Sequence, residues 1–147
     1  MSRLTKPLLF ASPEECEQAF YEALAAGDAE AVVDLWLDDE EVCCVHPGGG
    51  RLVGHHAVKA SWTATLAGGA LPIRALSRRC FESAGVTVSH VIEEIVVTRG
   101  RQREVVQVLA TNAFVKTPAG WKMVLHHAAP APQGQAQDVE GVHGTVH

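Results

Sequence analysis

Three features that mark particular classes of protein are missing from this 147-residue sequence. Lysine and arginine form no run or stripe and the net charge is −5, so the basic surface that binds nucleic acid is not expected. No apolar stretch approaches the roughly 18 residues that a membrane span needs. The N-terminal apolar patch, residues 8–10, is too short for a signal peptide, which favours a cytoplasmic location.

The sequence also has few residues arranged for metal or cofactor binding. Its four cysteines contain no Cys-x-x-Cys pair, and they are interpreted as buried thiols rather than as a disulfide framework. The glycines at 48–50 are not followed by the Lys-Ser/Thr of a phosphate-binding loop. A metal held by His46, Glu93 and His127 is a geometric alternative, but residues 12–129 contain no His-x-His or His-x-x-x-His spacing, and neither a metal nor an organic cofactor is expected.

The hydrophobic pattern predicts three helices followed by four long strands, which is an α+β fold. Ser12 is expected to cap the first helix, Gly27 to end it, and Asp28 to cap the second. A short strand at 42–46 precedes the third helix, at 55–66. The long strands are predicted at 73–83, 86–98, 104–116 and 121–129, joined by tight turns into an antiparallel meander. Residues 1–11 are interpreted as an extension, 12–129 as one domain and 130–147 as a flexible tail.

Turn positions suggest how these strands pair. If Thr117 pairs with Gly120 and Val97 with Glu104, one sheet face is mostly apolar and carries Glu93, Asn112 and His127. A slip of one residue would exchange the two faces. An apolar face must be covered, and the helices are the available cover, so a pocket for a small-molecule ligand is expected between the two layers. The other face is mixed in character and is predicted to pair with a second copy of the chain.

Three residues of this arrangement suit acid–base chemistry. His46 ends the short strand, and histidine titrates near neutral pH. Glu93 would be a carboxylate on an apolar face, where it could pair with His127 or His46. The alternatives are a histidine that satisfies loop backbone and an ion pair that is purely structural. His46, Glu93 and His127 are therefore the catalytic candidates.

Other residues are expected to line the pocket and contact the substrate. Asn112 could orient a substrate carbonyl, or it could bond to a helix end. The aromatic candidates could stack on a ligand or simply pack in the core. The predicted substrate-binding residues are Phe20, Trp36, Trp62, Asn112 and Phe114.

Several segments, in order, resemble the ketosteroid-isomerase and SnoaL-like superfamily, which includes relatives of nuclear transport factor 2. They are the stretches at 20–28, 35–39, 45–47, 52–54, 111–114, 120–121 and 126–127, and the resemblance covers about 12–129. It implies a cone-shaped domain in which a curved sheet wraps helices around a deep pocket, and usually a homodimer.

The catalytic residues of the isomerases are not carried over by this resemblance. Their helical tyrosine corresponds to Phe20, and Tyr21 beside it is expected to point elsewhere. The place of their aspartate base is taken by His46 or by Cys44, depending on alignment. Steroid isomerisation is therefore disfavoured.

Two functions are consistent with these observations. The first is binding of a small, largely apolar organic molecule, with acid–base isomerase, cyclase, dehydratase or hydrolase activity on a carbonyl or polycyclic compound. The second is a non-catalytic dimeric module that binds another protein. A cavity with convergent polar groups would favour the first, and a cavity filled by side chains the second.

Overall fold

A computed structural model describes residues 9–141 of the chain. Residues 1–8 of the predicted N-terminal extension and residues 142–147 of the predicted tail lie outside the described residues. The helices are α1 (Pro13–Ala26), α2 (Ala29–Asp34) and α3 (His55–Leu66). The strands are β1 (Cys43–Val45), β2 (Arg51–Val53), β3 (Ile73–Glu82), β4 (Val86–Arg99), β5 (Gln102–Thr117) and β6 (Gly120–Pro130), followed by a 3₁₀ turn at Pro132–Gly134. The predicted α+β class is confirmed.

The six strands form one open sheet in the order β2-β1-β6-β5-β4-β3. Strands β3 to β6 are a meander of antiparallel neighbours, because each is joined to the next by a short turn. Strand β1 instead runs parallel to β6. The last strand of the chain therefore lies inside the sheet, between β1 and β5. This topology brings β1 beside β6, which is far from it in sequence.

Local sequence signals determine where the first two helices begin and end. The Ser12 side chain accepts a hydrogen bond of 3.1 Å from the Glu15 amide, and Asp28 accepts one of 3.1 Å from the Ala31 amide. Gly27 ends α1 in the left-handed conformation, at φ +71°, which glycine adopts without steric cost. These short-range signals set the ends of α1 and the start of α2.

The core lies between the inner face of the sheet and the apolar sides of the helices. Its largest fully buried side chains are Phe20, Phe114, Leu24, Leu35, Met123, Val32, Val42, Val58 and Val91. Among the residues that the structure describes, no helix is long and apolar enough to cross a membrane.

The predicted register of the β4–β5 hairpin is confirmed, with Val97 opposite Glu104 and Glu93 opposite Val108. In the β5–β6 hairpin, the pairing is as predicted from the turn to Phe114 and Met123. It then shifts at a bulge, because β6 carries one extra residue, Val124, that has no partner on β5.

This bulge reverses the faces of the two adjacent histidines. His126 now lies opposite Asn112 and is buried, whereas His127 is exposed on the outer face. The prediction that His127 shares the inner face with Glu93 is therefore wrong, since one extra residue in a strand exchanges every side chain beyond it.

Candidate functional site

A cavity of about 220 Å³ lies between the helices and the inner face of the sheet. Its walls are mostly apolar, and its polar groups come from four different elements or their ends. The lining residues are Leu24, His46, Pro47, Trp62, Thr65, Leu71, Ile73, Glu93, Ile95 and His126. An apolar concavity with a few convergent polar groups is the usual form of a small-molecule site.

Glu93, near the middle of β4, is the buried carboxyl group of this cavity, with 2% of its surface exposed. The Tyr21 hydroxyl donates a hydrogen bond of 2.7 Å to its Oε2. Burial raises the pKa of Glu93 from 4.5 to about 7; the bond from Tyr21 opposes this increase, and the charge of Glu17 adds to it. Glu93 can therefore hold or release a proton near neutral pH, as a general acid or base must.

His126 faces Glu93 from the neighbouring part of the sheet. Its Nε2 lies 3.9 Å from Glu93 Oε2, and its Nδ1 lies 2.6 Å from Asn112 Oδ1. Burial, with smaller contributions from His46 and His127, lowers the pKa of His126 to about 3. The ring is consequently neutral at physiological pH, so its contact with Glu93 is not an ion pair.

His46 follows β1 and contributes a second imidazole to the cavity. Its Nε2 is 2.7 Å from the Ser61 hydroxyl on α3, and its ring meets the Trp62 indole edge-on at 4.6 Å. Partial burial lowers the pKa of His46 below its usual value, so this ring is also mostly neutral near pH 7. His46 and Glu93 line the same cavity, as the catalytic hypothesis requires.

Tyr21 lies on the inner side of α1, and the expectation that it points elsewhere is wrong. Its hydroxyl donates to Glu93 and accepts a hydrogen bond of 3.0 Å from Asn112 Nδ2. Burial, followed by the charge of Glu93, raises the pKa of Tyr21 well above its usual value, so the hydroxyl keeps its proton and remains a donor. The apolar stripe of α1 is wide enough to include both Phe20 and Tyr21.

Glu17 is a second functional candidate that the sequence pattern did not predict. It lies one helical turn before Tyr21, and 3% of its surface is exposed. It accepts hydrogen bonds from Arg78, Ser89 and Asn112. The i, i+4 spacing of Glu17 and Tyr21, within the stripe that contains Cys16 and Phe20, was the available signal.

The predicted substrate-binding residues occupy three kinds of position. Trp62 lines the cavity, and Phe20 lies behind this wall with its ring against those of Trp62 and His126. Asn112 is fully buried in the hydrogen-bond network. Trp36 and Phe114 are buried core residues away from the cavity, and Trp36 borders a separate surface depression between α2 and α3. For these two, core packing is the role that the structure supports.

The arrangement does not resemble a metal site. Within residues 9–141, no group of three or more His, Cys, Asp or Glu side chains is close enough to hold an ion. Cys44, whose sulfur lies 3.8 Å from His46 Nε2, has its pKa raised to about 12, chiefly by burial. It is therefore a thiol rather than a thiolate ligand or nucleophile at neutral pH.

Comparisons with known proteins agree with the fold. A solved structure from Thiobacillus denitrificans, provisionally assigned as a calcium/calmodulin-dependent protein kinase type II association domain, is 31% identical and has a TM-score of 0.76; the match covers 85% of this chain and 99% of that one. A protein of the NTF2-like family from Streptomyces avermitilis, provisionally assigned as a dehydratase, is 28% identical with a TM-score of 0.73, over 81% of this chain and 94% of that one.

A third structure, from Parabacteroides distasonis and provisionally assigned as a ketosteroid isomerase, is 18% identical with a TM-score of 0.66, over 81% of this chain and 87% of that one. At this identity it supports the fold alone. No curated protein matches the chain. The model of the SnoaL-like domain family matches residues 14–132. The chain belongs to the SnoaL-like domain family, within the NTF2-like and ketosteroid-isomerase-like superfamily.

Proposed function

We propose that this protein binds a small, largely apolar carbonyl compound in the cavity and moves a proton on it by acid–base catalysis. The observation that carries the proposal is the Glu93 carboxyl group, which is buried in the cavity wall and has a pKa near 7. A group that titrates at the working pH is the most effective proton donor and acceptor. Buried groups with strongly shifted pKa values are also concentrated at functional sites.

In this proposal the polar side chains of the cavity have distinct roles. The Glu93 carboxylate removes a proton from the carbon next to the substrate carbonyl, and the resulting acid returns it to the same or another carbon. Neutral His46 has one ring N–H that can be donated to the substrate oxygen, whereas His126, whose Nδ1 faces Asn112, offers Nε2 as an acceptor to a substrate hydroxyl group. Tyr21 holds Glu93 in place through its 2.7 Å hydrogen bond. Returned to another carbon, the proton completes an isomerisation. Delivered instead to a hydroxyl group on the β-carbon, it lets that group leave as water while the carbon–carbon double bond forms, which is a dehydration. The Streptomyces relative assigned as a dehydratase supports this reaction class.

The cavity volume limits the size of the substrate. At about 220 Å³, it is smaller than the roughly 300 Å³ at the lower end of pockets for drug-sized ligands. A compound with a single ring or a short chain fits this space better than a polycyclic one. The apolar walls select a molecule that has one or two polar atoms and is otherwise hydrocarbon.

The outer sheet face supports a second part of the proposal, that two copies of the chain pair there. Phe81 of β3 lies opposite Val88 of β4, and both are exposed, by 80% and 40% respectively. Val86 of β4 and Val105 of β5 are further exposed apolar residues. An apolar patch on a sheet face is typical of a subunit interface. This surface is also where the alternative function, a non-catalytic interaction module, would bind its partner.

Hydrogen exchange tests the catalytic proposal without knowledge of the final product. A panel of small cyclic and open-chain ketones and enones is incubated with the protein in D₂O, and loss of the α-hydrogen signals is followed by proton NMR. We expect faster exchange for at least one compound, and a loss of at least about tenfold in Glu93→Gln. No acceleration for any compound, or full activity in the variant, would contradict the proposal.

A pair of substitutions on α3 locates the binding site. Thr65 is exposed at the cavity rim, so Thr65→Trp should block the entrance without disturbing the core. Thr63 is also exposed but borders a different surface depression, which makes Thr63→Trp the matched control. A compound that raises the melting temperature of the wild type and of Thr63→Trp, but not of Thr65→Trp, occupies the cavity. An equal shift in both variants would place the compound elsewhere.

A further inference from the structure

A second buried carboxylate, that of Glu17, lies behind the cavity and has no part in the proton transfer proposed above. It does not line the cavity, and almost none of its surface is exposed. Its Oε1 accepts 2.6 Å and 2.8 Å hydrogen bonds from Arg78 Nε and the Ser89 hydroxyl. Its Oε2 accepts a 2.9 Å bond from Asn112 Nδ2. Because all three partners are donors and one of them is a guanidinium, this environment stabilises the ionised carboxylate, which can only accept hydrogen bonds.

An irregularity in β3 brings Arg78 to this carboxylate. The pairing of β3 with β4 shifts between Leu76 and Arg79, and Ser77 within the shift has a φ of +49°. In a regular strand Arg78 would share the outer face with Leu76, which lies opposite Ile92. The bulge turns its side chain inward instead, at the cost of a backbone conformation that serine rarely adopts.

The charge on Glu17 fixes the orientation of the Asn112 amide. Because a carboxylate cannot donate, the NH₂ group of Asn112 must face Glu17, and its carbonyl oxygen must face His126. At 2.6 Å from that oxygen, Nδ1 of His126 must carry the ring proton. The other nitrogen, Nε2, is then left with its lone pair on the side of Glu93 and the cavity.

The same orientation sets the direction of the bond to Glu93. The second N–H of Asn112 is donated to the Tyr21 hydroxyl over 3.0 Å, so the Tyr21 proton is directed to Glu93 over 2.7 Å. The direction of each of these bonds therefore follows from the fact that the Glu17 carboxylate accepts and never donates. Reversing Asn112 would reverse every bond beyond it.

We propose that Glu17, held by Arg78, is a positioning residue that keeps His126 in the Nδ1–H tautomer and so leaves Nε2 as a proton acceptor facing the cavity. The catalytic meaning of this acceptor rests on the proposed function, whereas the tautomer itself does not. Glu17 acts through Asn112 and touches no substrate.

The tautomer is measured on the uniformly ¹⁵N-labelled full chain at pH 7.5 by long-range proton–nitrogen correlation of the histidine rings, with His126 assigned from its absence in His126→Gln. We expect Nδ1–H in the wild type. In Glu17→Gln, the new NH₂ group should face Asn112 and turn its amide over, so His126 should change to Nε2–H. Ser89→Ala removes one donor but keeps the carboxylate, and it should retain Nδ1–H.

A double variant provides for the case in which Glu17→Gln does not fold. Glu17→Met/Arg78→Met replaces both charges by apolar side chains, an exchange that buried ion pairs usually tolerate. Without the carboxylate, His126 should show a mixture of both tautomers. An Nε2–H wild type, or an unchanged Nδ1–H tautomer in whichever variant folds, would overturn the proposal. Since no substrate is present, failure here is separate from failure of the hydrogen-exchange assay.

Discussion

Replacing Glu93 by glutamine should change how the stability of the protein depends on pH. The pKa of Glu93 is about 7 in the folded protein and close to 4.5 in the unfolded chain. Between these values the unfolded state has lost its proton and the folded state has kept it. The folded state thus binds more protons, and the stabilising contribution that is complete below pH 4.5 is lost as the pH rises through 7. Glutamine has a similar shape, can still accept the Tyr21 bond, and does not titrate.

The size of the effect follows from the shift in pKa. Each pKa unit corresponds to about 1.4 kcal/mol, so a change from 4.5 to about 7 amounts to about 3 kcal/mol. The free energy of unfolding of Glu93→Gln minus that of the wild type should therefore increase by about 3 kcal/mol from pH 4 to pH 8. Contributions of other groups, including His126, largely cancel in this difference.

Urea unfolding followed by tryptophan fluorescence measures this difference, because all three tryptophans are buried. The control is Glu94→Gln, which removes the adjacent glutamate of β4, bonded to Arg74 rather than to the buried network. A difference between Glu93→Gln and wild type that stays constant from pH 4 to pH 8, or that decreases, would refute the reasoning that burial keeps Glu93 protonated.

Three further predictions concern other parts of the structure. His126→Gln should abolish an acid-dependent loss of stability, because the pKa of His126 is depressed from 6.5 to about 3 in the folded protein. As the pH falls from 7 to 4.5, the free energy of unfolding of the wild type should decrease by about 2.5 kcal/mol relative to that of the variant, measured by urea unfolding. Gly120→Ala should destabilise the fold by at least about 2 kcal/mol, since φ is +87° and the added carbon would lie 2.8 Å from the Phe10 carbonyl oxygen. Gly100→Ala is the control: φ is +62° and the space around it is open, so it should destabilise the fold by only about 1 kcal/mol in the same assay. Equal losses of stability would contradict a steric contact at Gly120. Val88→Lys should convert the proposed dimer to a monomer in sedimentation velocity, whereas Thr63→Lys on α3 should not. A monomeric wild type would contradict the proposed interface on the outer sheet face.

The parts of the fold that were predictable from the sequence are those set by neighbouring residues. Serine, aspartate and glycine mark the ends of α1 and the start of α2, and the structure has these boundaries where the sequence predicts them. The turn at Gly100 fixes the register of the β4–β5 hairpin, which places Glu93 on the inner face. Strand β2 was not predicted, because its three residues lie between Gly50 and Gly54, in a stretch that has the composition of a loop.

The parts of the site that were not predictable depend on irregular pairing. The bulge at Val124 has no glycine to mark it, and it exchanges His127 for His126 as the inward histidine. The shift at Ser77 has no such marker either, although it brings Arg78 to Glu17. Both irregularities are determined by tertiary packing rather than by local preference, so the alternation of side chains along a strand does not predict them.

The most direct measurement of the central claim is the pKa of Glu93 itself. Carbon-13 NMR of the glutamate side-chain carboxyl groups is recorded from pH 4 to pH 9, and the Glu93 signal is assigned from its absence in Glu93→Gln. A midpoint near 7 is predicted, because the carboxyl group is buried beside the cavity with a second carboxylate behind it. A midpoint near 4.5, the value of a solvated glutamate, would contradict the account.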